Sequence, residues 1–200
     1  MKIVLATSNK GKVEEIKNYF KQLDIDFLTP EDLNIENFEV VEDGNTLEEN
    51  AFKKAKALYE IAKIPTMADD TGLFVKALNY KPGVKSHRYA SEDGDDELNR
   101  KKLLKNMEKA EDRNAFFKTC ICFIDEDGNK KIILGKVNGK ILKSPKGENG
   151  FGYDPLFMPD GYQQSFSEMS LNLKNKISHR AHALNNFKEF LRENYEICDN

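Results

Sequence analysis

Apolar positions recur along this chain with two periods, and the places where the period changes mark its elements. Lys2 to Ala6 is a short apolar run that ends in Thr7-Ser8-Asn9-Lys10-Gly11-Lys12, after which Val13, Ile16, Phe20 and Leu23 return at helical spacing. That reads as strand, polar loop, helix. Asp26-Phe27-Leu28 is a second short strand, followed by an alternating acidic stretch that ends in Glu39-Val40-Val41-Glu42. Thr46 with Glu49 three residues on is a capping-box pattern, so a helix should begin near Thr46, carrying Ala51, Ala55, Leu58 and Ile61 on one face and stopping before Pro65. Thr66-Met67-Ala68 and Leu73-Phe74-Val75 have strand character, interrupted by Asp69-Asp70-Thr71-Gly72. Pro82-Gly83 marks a turn, and Glu97 to Ala110 a charged helix with Leu103, Leu104 and Met107 inward. Phe116 to Ile124 alternates as a strand, Asp125 to Asn129 reads as a hairpin turn into Lys131 to Val137, and Gly139 to Leu142 as a further strand. A glycine-rich loop from Gly147 to Gly152 precedes Tyr153-Asp154-Pro155-Leu156-Phe157, and a helix from Ser178 to Asn194 closes the chain. Strands and helices mix, which predicts a mixed α/β class with an antiparallel hairpin inside it.

Composition narrows the picture. The 200 residues fit a single domain over 1–200, or at most a core with a lobe, long enough to bury a hydrophobic centre. With 31 basic and 34 acidic residues the formal net charge is -3, so there is no general field to hold DNA, RNA or an acidic membrane. Any phosphate ligand must be held locally. No apolar run reaches the roughly 18 residues of a membrane span, and Met1 to Ala6 is too short for a signal-peptide core, so the expected location is the cytoplasm. Cys120 and Cys122 alternate with Ile121 and Phe123 as buried, reduced strand thiols would, and a C-x-C without a second ligand pair is a poor zinc or redox signal; Cys198 makes the number odd.

Three constellations could carry chemistry. Thr7-Ser8-Asn9-Lys10-Gly11-Lys12 sits between a strand and a helix N-terminus, where backbone N–H groups and the helix dipole favour an anion and Lys12 adds a donor. The plainer reading is a polar loop with an N-cap, and the Walker pattern is not met. Glu42, Asp69 and Asp70 form an acidic set of the kind that holds a hard divalent cation against a triphosphate, although Asp69-Asp70 could instead cap a turn. Adjacent strand residues point in different directions, so the two aspartates can serve different partners. Finally, Gly150-Phe151-Gly152-Tyr153-Asp154, Lys174 and Ser178-His179-Arg180 offer a ring to stack on a purine, an acceptor for a ring N–H and donors to a 6-oxo group. The alternatives there are core packing and a helix cap.

Together these residues closely resemble the Ham1-type inosine/xanthosine triphosphate pyrophosphatases. The matching blocks are Ala6 to Lys12, Glu42-Asp43-Gly44 with Thr46 and Glu49-Asn50-Ala51, Ala68 to Leu73, Pro82-Gly83-Val84 with Ser86, Arg88 and Tyr89, Gly150 to Pro155, and Lys174 with Ser178-His179-Arg180, in family order from residue 3 to about 190. The resemblance implies an elongated central twisted mixed sheet with flanking helices and two lobes around a cleft, the fold shared with Maf-like proteins, and a homodimer. It implies that Thr7, Ser8, Asn9, Lys10, Gly11 and Lys12 hold phosphates, that Glu42, Asp69 and Asp70 carry at least one magnesium per subunit, with manganese as a substitute, and that Asp70 accepts the proton. It assigns substrate contacts to Thr71, Phe151, Gly152, Tyr153, Asp154, Lys174, His179 and Arg180. Asp43, where a threonine is common, and His87, where a small residue is common, depart from the pattern.

The reaction implied is hydrolysis of non-standard purine triphosphates (ITP, dITP, XTP) to the monophosphate and pyrophosphate, which removes them from the nucleotide pool before they enter DNA or RNA. A 6-oxo group can accept from His179 or Arg180, whereas adenine's 6-amino group would meet donor with donor. GTP shares the 6-oxo group, so its rejection requires the 2-amino edge to be sensed as well. A Maf-like pyrophosphatase for modified pyrimidine or methylated nucleotides, and a nucleotide-binding sensor or interaction module without turnover, are the rival readings. The Phe151 to Asp154 and Ser178 to Arg180 blocks weigh against the first, and Lys12, Glu42, Asp69 and Asp70 against the second.

Overall fold

A computed structural model describes residues 1–197. Within them the chain runs β1 (Lys2–Leu5), α1 (Lys10–Phe20), β2 (Asp26–Leu28), α2 (Leu47–Ala62), β3 (Thr66–Val75), β4 (Pro82–Gly83), α3 (Asp96–Asn106), β5 (Asn114–Ile124), β6 (Lys130–Ile141), β7 (Phe157–Pro159), α4 (Leu171–Ile177) and α5 (His179–Asn194). The strands form one mixed sheet in the order β2-β1-β3-β5-β6-β7, with β4 also on β3. β1 runs parallel to β2 and β3, whereas β4 is antiparallel to β3 and β7 to β6. No described helix is long and apolar enough to cross a membrane.

The fold divides into two compact units, each assembled from separated stretches of chain. The first holds Met1–Asp70, Cys120–Leu134 and the chain from Ala183 onward; the second holds Thr71–Thr119 and Gly135–His182. In the first, Ile3 and Leu5 of β1, Ile16 and Phe20 of α1, Met67 of β3, Phe123 of β5 and Leu184, Phe187 and Leu191 of α5 form a single buried cluster. In the second, Leu73 and Val75 of β3, Leu103 of α3, Phe117 of β5, Ile141 of β6, Phe157 of β7 and Phe166 form its counterpart. Removing these side chains from water is the main favourable term in each.

Several elements depart from the expected pattern in instructive ways. β3 is not broken by its carboxylates: the strand continues through Asp69, Asp70 and Thr71. Pro82-Gly83 is more than a turn, since it pairs with Leu73 and Phe74 as β4. Gly139 to Leu142 is not a separate strand, because β6 runs unbroken to Ile141, and Asp125 to Asn129 makes the expected turn before it. A short helix, α4, capped by Ser170, precedes the expected closing helix. Thr46 does cap α2 by accepting from Glu49 N–H, but Glu49 reaches back to Asn45 N–H and not to Thr46. Cys120 and Cys122 are buried in β5, and burial pushes the Cys122 thiol up to about 12, which leaves it protonated and a poor nucleophile or metal ligand. Cys198 lies outside the described residues.

Candidate active site

In the first unit, β1 delivers the chain to the polar loop at Thr7. Thr7 Oγ1 accepts from Asn9 N–H at 3.2 Å, and Asn9 Oδ1 accepts from Lys12 N–H at 3.0 Å, capping α1. Ser8, Asn9, Lys10 and Gly11 are exposed around that helix start. Lys12 turns inward instead and sets its ammonium on Asp69, 3.2 Å from Oδ1 and 3.0 Å from Oδ2. The loop residues and the first aspartate, 57 positions apart, are thereby joined.

Asp70, the next residue of β3, points elsewhere, as alternation along a strand requires. Its carboxylate meets α2: Asn50 Nδ2 donates to Oδ2 at 3.2 Å, and Lys54 Nζ lies 3.8 Å from Oδ1. Lys54 also donates to Glu42 at 3.2 Å and to the Asp69 carbonyl at 2.7 Å. Asn50 in turn accepts from Gly44 N–H at 2.8 Å, tying the loop that carries Glu42 to the same helix. Burial raises the Asp70 carboxyl from 3.8 to about 6; Lys54 and the Asn50 hydrogen bond pull it down, and the charges of Glu42 and Asp69 push it up. A carboxylate with that affinity for protons, held by an amide and facing a lysine, is suited to accept a proton near neutral pH. Asp43 forms an ion pair with Lys53 at the surface.

In the second unit, the loop before β7 is held from several directions. Asp154, buried, accepts on Oδ2 from Phe151 N–H at 3.0 Å and from Lys174 Nζ at 2.5 Å. Lys174 also lies 5.0 Å from the centroid of the Phe151 ring, which stays 60% exposed. Gly150, at φ +81°, has no room for a side chain, because a Cβ would fall 2.2 Å from Asp154 Oδ2. Tyr153 is buried and donates from its hydroxyl to Ser86 O at 2.8 Å. Ser178 caps α5 by accepting from Ala181 N–H, which places His179 and Arg180 in the first turn, both buried. The His179 ring stacks on Phe117 at 4.5 Å and 17°. Thr71 shares a 2.8 Å hydrogen bond with Thr119.

The model of the Ham1 family matches residues 3–190. The chain belongs to the Ham1 family. A curated relative named dITP/XTP pyrophosphatase, from Thermoanaerobacter pseudethanolicus, is 46% identical, with 98% of this chain and 99% of that protein covered. The Ham1 protein of Staphylococcus aureus superposes with a TM-score of 0.90 at 39% identity, covering 96% of this chain and 99% of that one. That of Coxiella burnetii also gives 0.90, at 36% identity and the same coverage.

Among the described residues of this Ham1 chain, no three His, Cys, Asp or Glu side chains converge into a ready-made metal cage. Lysines lie on the carboxylates instead. The donor set nevertheless suits magnesium, which takes one or two carboxylates and completes its shell with water and phosphate oxygens. Glu42 and Asp69 each push the Asp70 carboxyl up, a mutual repulsion that a cation would relieve.

The sequence reading picked out the carboxylates and the loop but did not single out Lys54, nor the bridging role of Asn50. Asn50 and Lys54 are four residues apart, which puts them on one face of α2, and that spacing was the available signal. Asp96 and Arg100 on α3 were also passed over, although both hold the Gly152 backbone. Ser86, by contrast, is a structural residue. Its hydroxyl donates to Gly83 O and accepts from Leu73 N–H, pinning β4 to β3.

Proposed function

We propose that this protein hydrolyses non-standard purine nucleoside triphosphates, ITP, dITP and XTP, to the monophosphate and pyrophosphate. The activity named for its curated relatives supports this reading. The observation in this chain that carries it is the buried carboxylate of Asp70, raised to about 6, held by Asn50 and set beside Lys54 and Glu42.

In this account the Thr7 to Lys12 segment receives the phosphates through backbone N–H groups at the start of α1 and through Lys12. Asp70 orients a water and takes its proton as the water oxygen bonds to the α-phosphorus. The bond from the α-phosphorus to the bridging oxygen breaks, and the electron pair leaves on pyrophosphate, whose charge Lys12 and Lys54 offset. Glu42, Asp69 and Asp70 would hold magnesium, which when bound polarises the phosphoryl oxygens. In the second unit, Phe151 offers its exposed ring for stacking, Asp154 and Lys174 its polar edge, and His179 and Arg180 donors for a 6-oxo group. The family resemblance further supports a homodimer working on the cytoplasmic nucleotide pool.

Product analysis tests the proposal. ITP with magnesium and purified protein should give IMP and pyrophosphate in equal amounts by anion-exchange chromatography. IDP with orthophosphate, or no turnover, would refute it.

A further inference from the structure

Gly152 is held at both of its backbone polar atoms by one helix. Its N–H donates to Asp96 Oδ2 at 2.6 Å, and its carbonyl accepts from Arg100 Nη1 at 2.6 Å. Asp96 and Arg100 are four residues apart on α3, hence neighbours on one face, and both are partly buried. The charge on each makes these bonds stronger than neutral ones. Gly152 sits at φ +59°, one of several conformations open to glycine, and the two hydrogen bonds select it. Space above it is open: a Cβ at Gly152 would meet nothing within 4 Å.

On the other side of the same loop, Asp154 accepts the Phe151 N–H and Lys174 lies by the Phe151 ring. With the Phe151 carbonyl also accepting from Asp154 N–H, the backbone at residues 151 and 152 is fastened at all four of its polar atoms while the Phe151 ring stays exposed. A ring on an unfastened loop would lose its freedom on stacking, and that cost falls on affinity. α3 also holds the 87–90 segment, where Asn99 accepts from Ala90 N–H and donates to His87 O. Helix α3 therefore anchors both loops.

We propose that Asp96 and Arg100 are positioning residues that set recognition of the base by clamping the Gly152 peptide, so that Phe151 is presented before the ligand arrives. The inference rests on the reading of Phe151 to Asp154 as the base site. It assigns neither residue a contact with substrate.

The chain contains no tryptophan, so Phe151→Trp installs a single reporter at the stacking position. IMP should quench its fluorescence when Asp96 and Arg100 are intact. Adding Arg100→Met, or independently Asp96→Ala, should weaken IMP binding about tenfold, and Arg100→Lys should restore most of it. In the chain with Phe151, Arg100→Met should raise the KM for ITP about tenfold while kcat falls less than threefold, and should shrink the preference for ITP over GTP. Unchanged IMP affinity in both clamp variants overturns the proposal. So does a loss of kcat as large as the loss in kcat/KM, which would mark general damage. If the fluorescence ignores IMP while the clamp is intact, the base-site reading itself falls, and the clamp with it.

Discussion

Replacing Asp70 by Asn should sharply cut turnover and at the same time make the protein more stable. Burial holds the Asp70 carboxyl at about 6, above its ordinary 3.8. A carboxyl so raised costs the folded state about 3 kcal/mol once ionised, at roughly 1.36 kcal/mol per pH unit. Asn keeps the shape without the charge, and can turn its oxygen to the Asn50 amide. Because the Asn amide nitrogen would then face the Lys54 ammonium, donor against donor, the gain should be smaller, about 1 to 3 kcal/mol. For a chain of this length that raises the melting temperature by roughly 2 to 4 °C per kcal/mol. The sign follows from linkage: the folded state binds the proton more tightly, so the stability linked to Asp70 is present below about 3.8 and lost as pH rises through about 6. The advantage of Asp70→Asn should accordingly be largest above pH 7 without magnesium and shrink as pH falls toward 4. Calorimetric melting across that range, beside a pyrophosphate-release assay in which kcat drops by roughly two to four orders of magnitude, reads both effects. An Asp70→Asn protein less stable than the parent at pH 7.5, or one with parental turnover, would refute the reasoning.

Other substitutions separate binding from folding. Phe151→Ala should leave thermal stability within about 0.5 kcal/mol, since the ring is exposed, yet raise the KM for ITP about tenfold through lost stacking; both are read from melting and steady-state kinetics. Asn50→Leu removes the acceptor of Gly44 N–H and the donor to Asp70 together, and should cost about 2 to 4 kcal/mol in urea unfolding. Gly44→Ala places a Cβ 2.6 Å from Asn50 Oδ1 and should cost about 1 to 3 kcal/mol in the same assay. With Asp70 as proton acceptor, kcat/KM should decline as pH falls below about 6, and bound magnesium should move that limb lower.

The sequence was most legible where one residue type has one local use. Thr46 caps its helix where its position suggested, Asn9 supplies the N-cap that the polar loop before α1 left unassigned, and the apolar spacing of α1 and α2 placed both helices. It was least legible where pairing over distance decided the outcome. Asp69-Asp70 looked like an interruption because two carboxylates disfavour a strand, but Lys12 and Asn50, distant in sequence, stabilise them in place. Pro82-Gly83 has the composition of a turn, and only pairing with Leu73 and Phe74 makes it a strand. The site followed the same rule. The loop and carboxylates announced themselves by residue type, whereas Lys54, Asn50, Asp96 and Arg100 are ordinary polar residues of helices whose importance lies in what they reach.

The most direct test of the central claim is kcat/KM for ITP, XTP, GTP, ATP and dTTP, measured with magnesium on one preparation by pyrophosphate release. The account predicts rapid release from ITP and XTP and little from the other three. Equal rates on all five would contradict base recognition by Phe151, Asp154, His179 and Arg180, even with the phosphate chemistry intact.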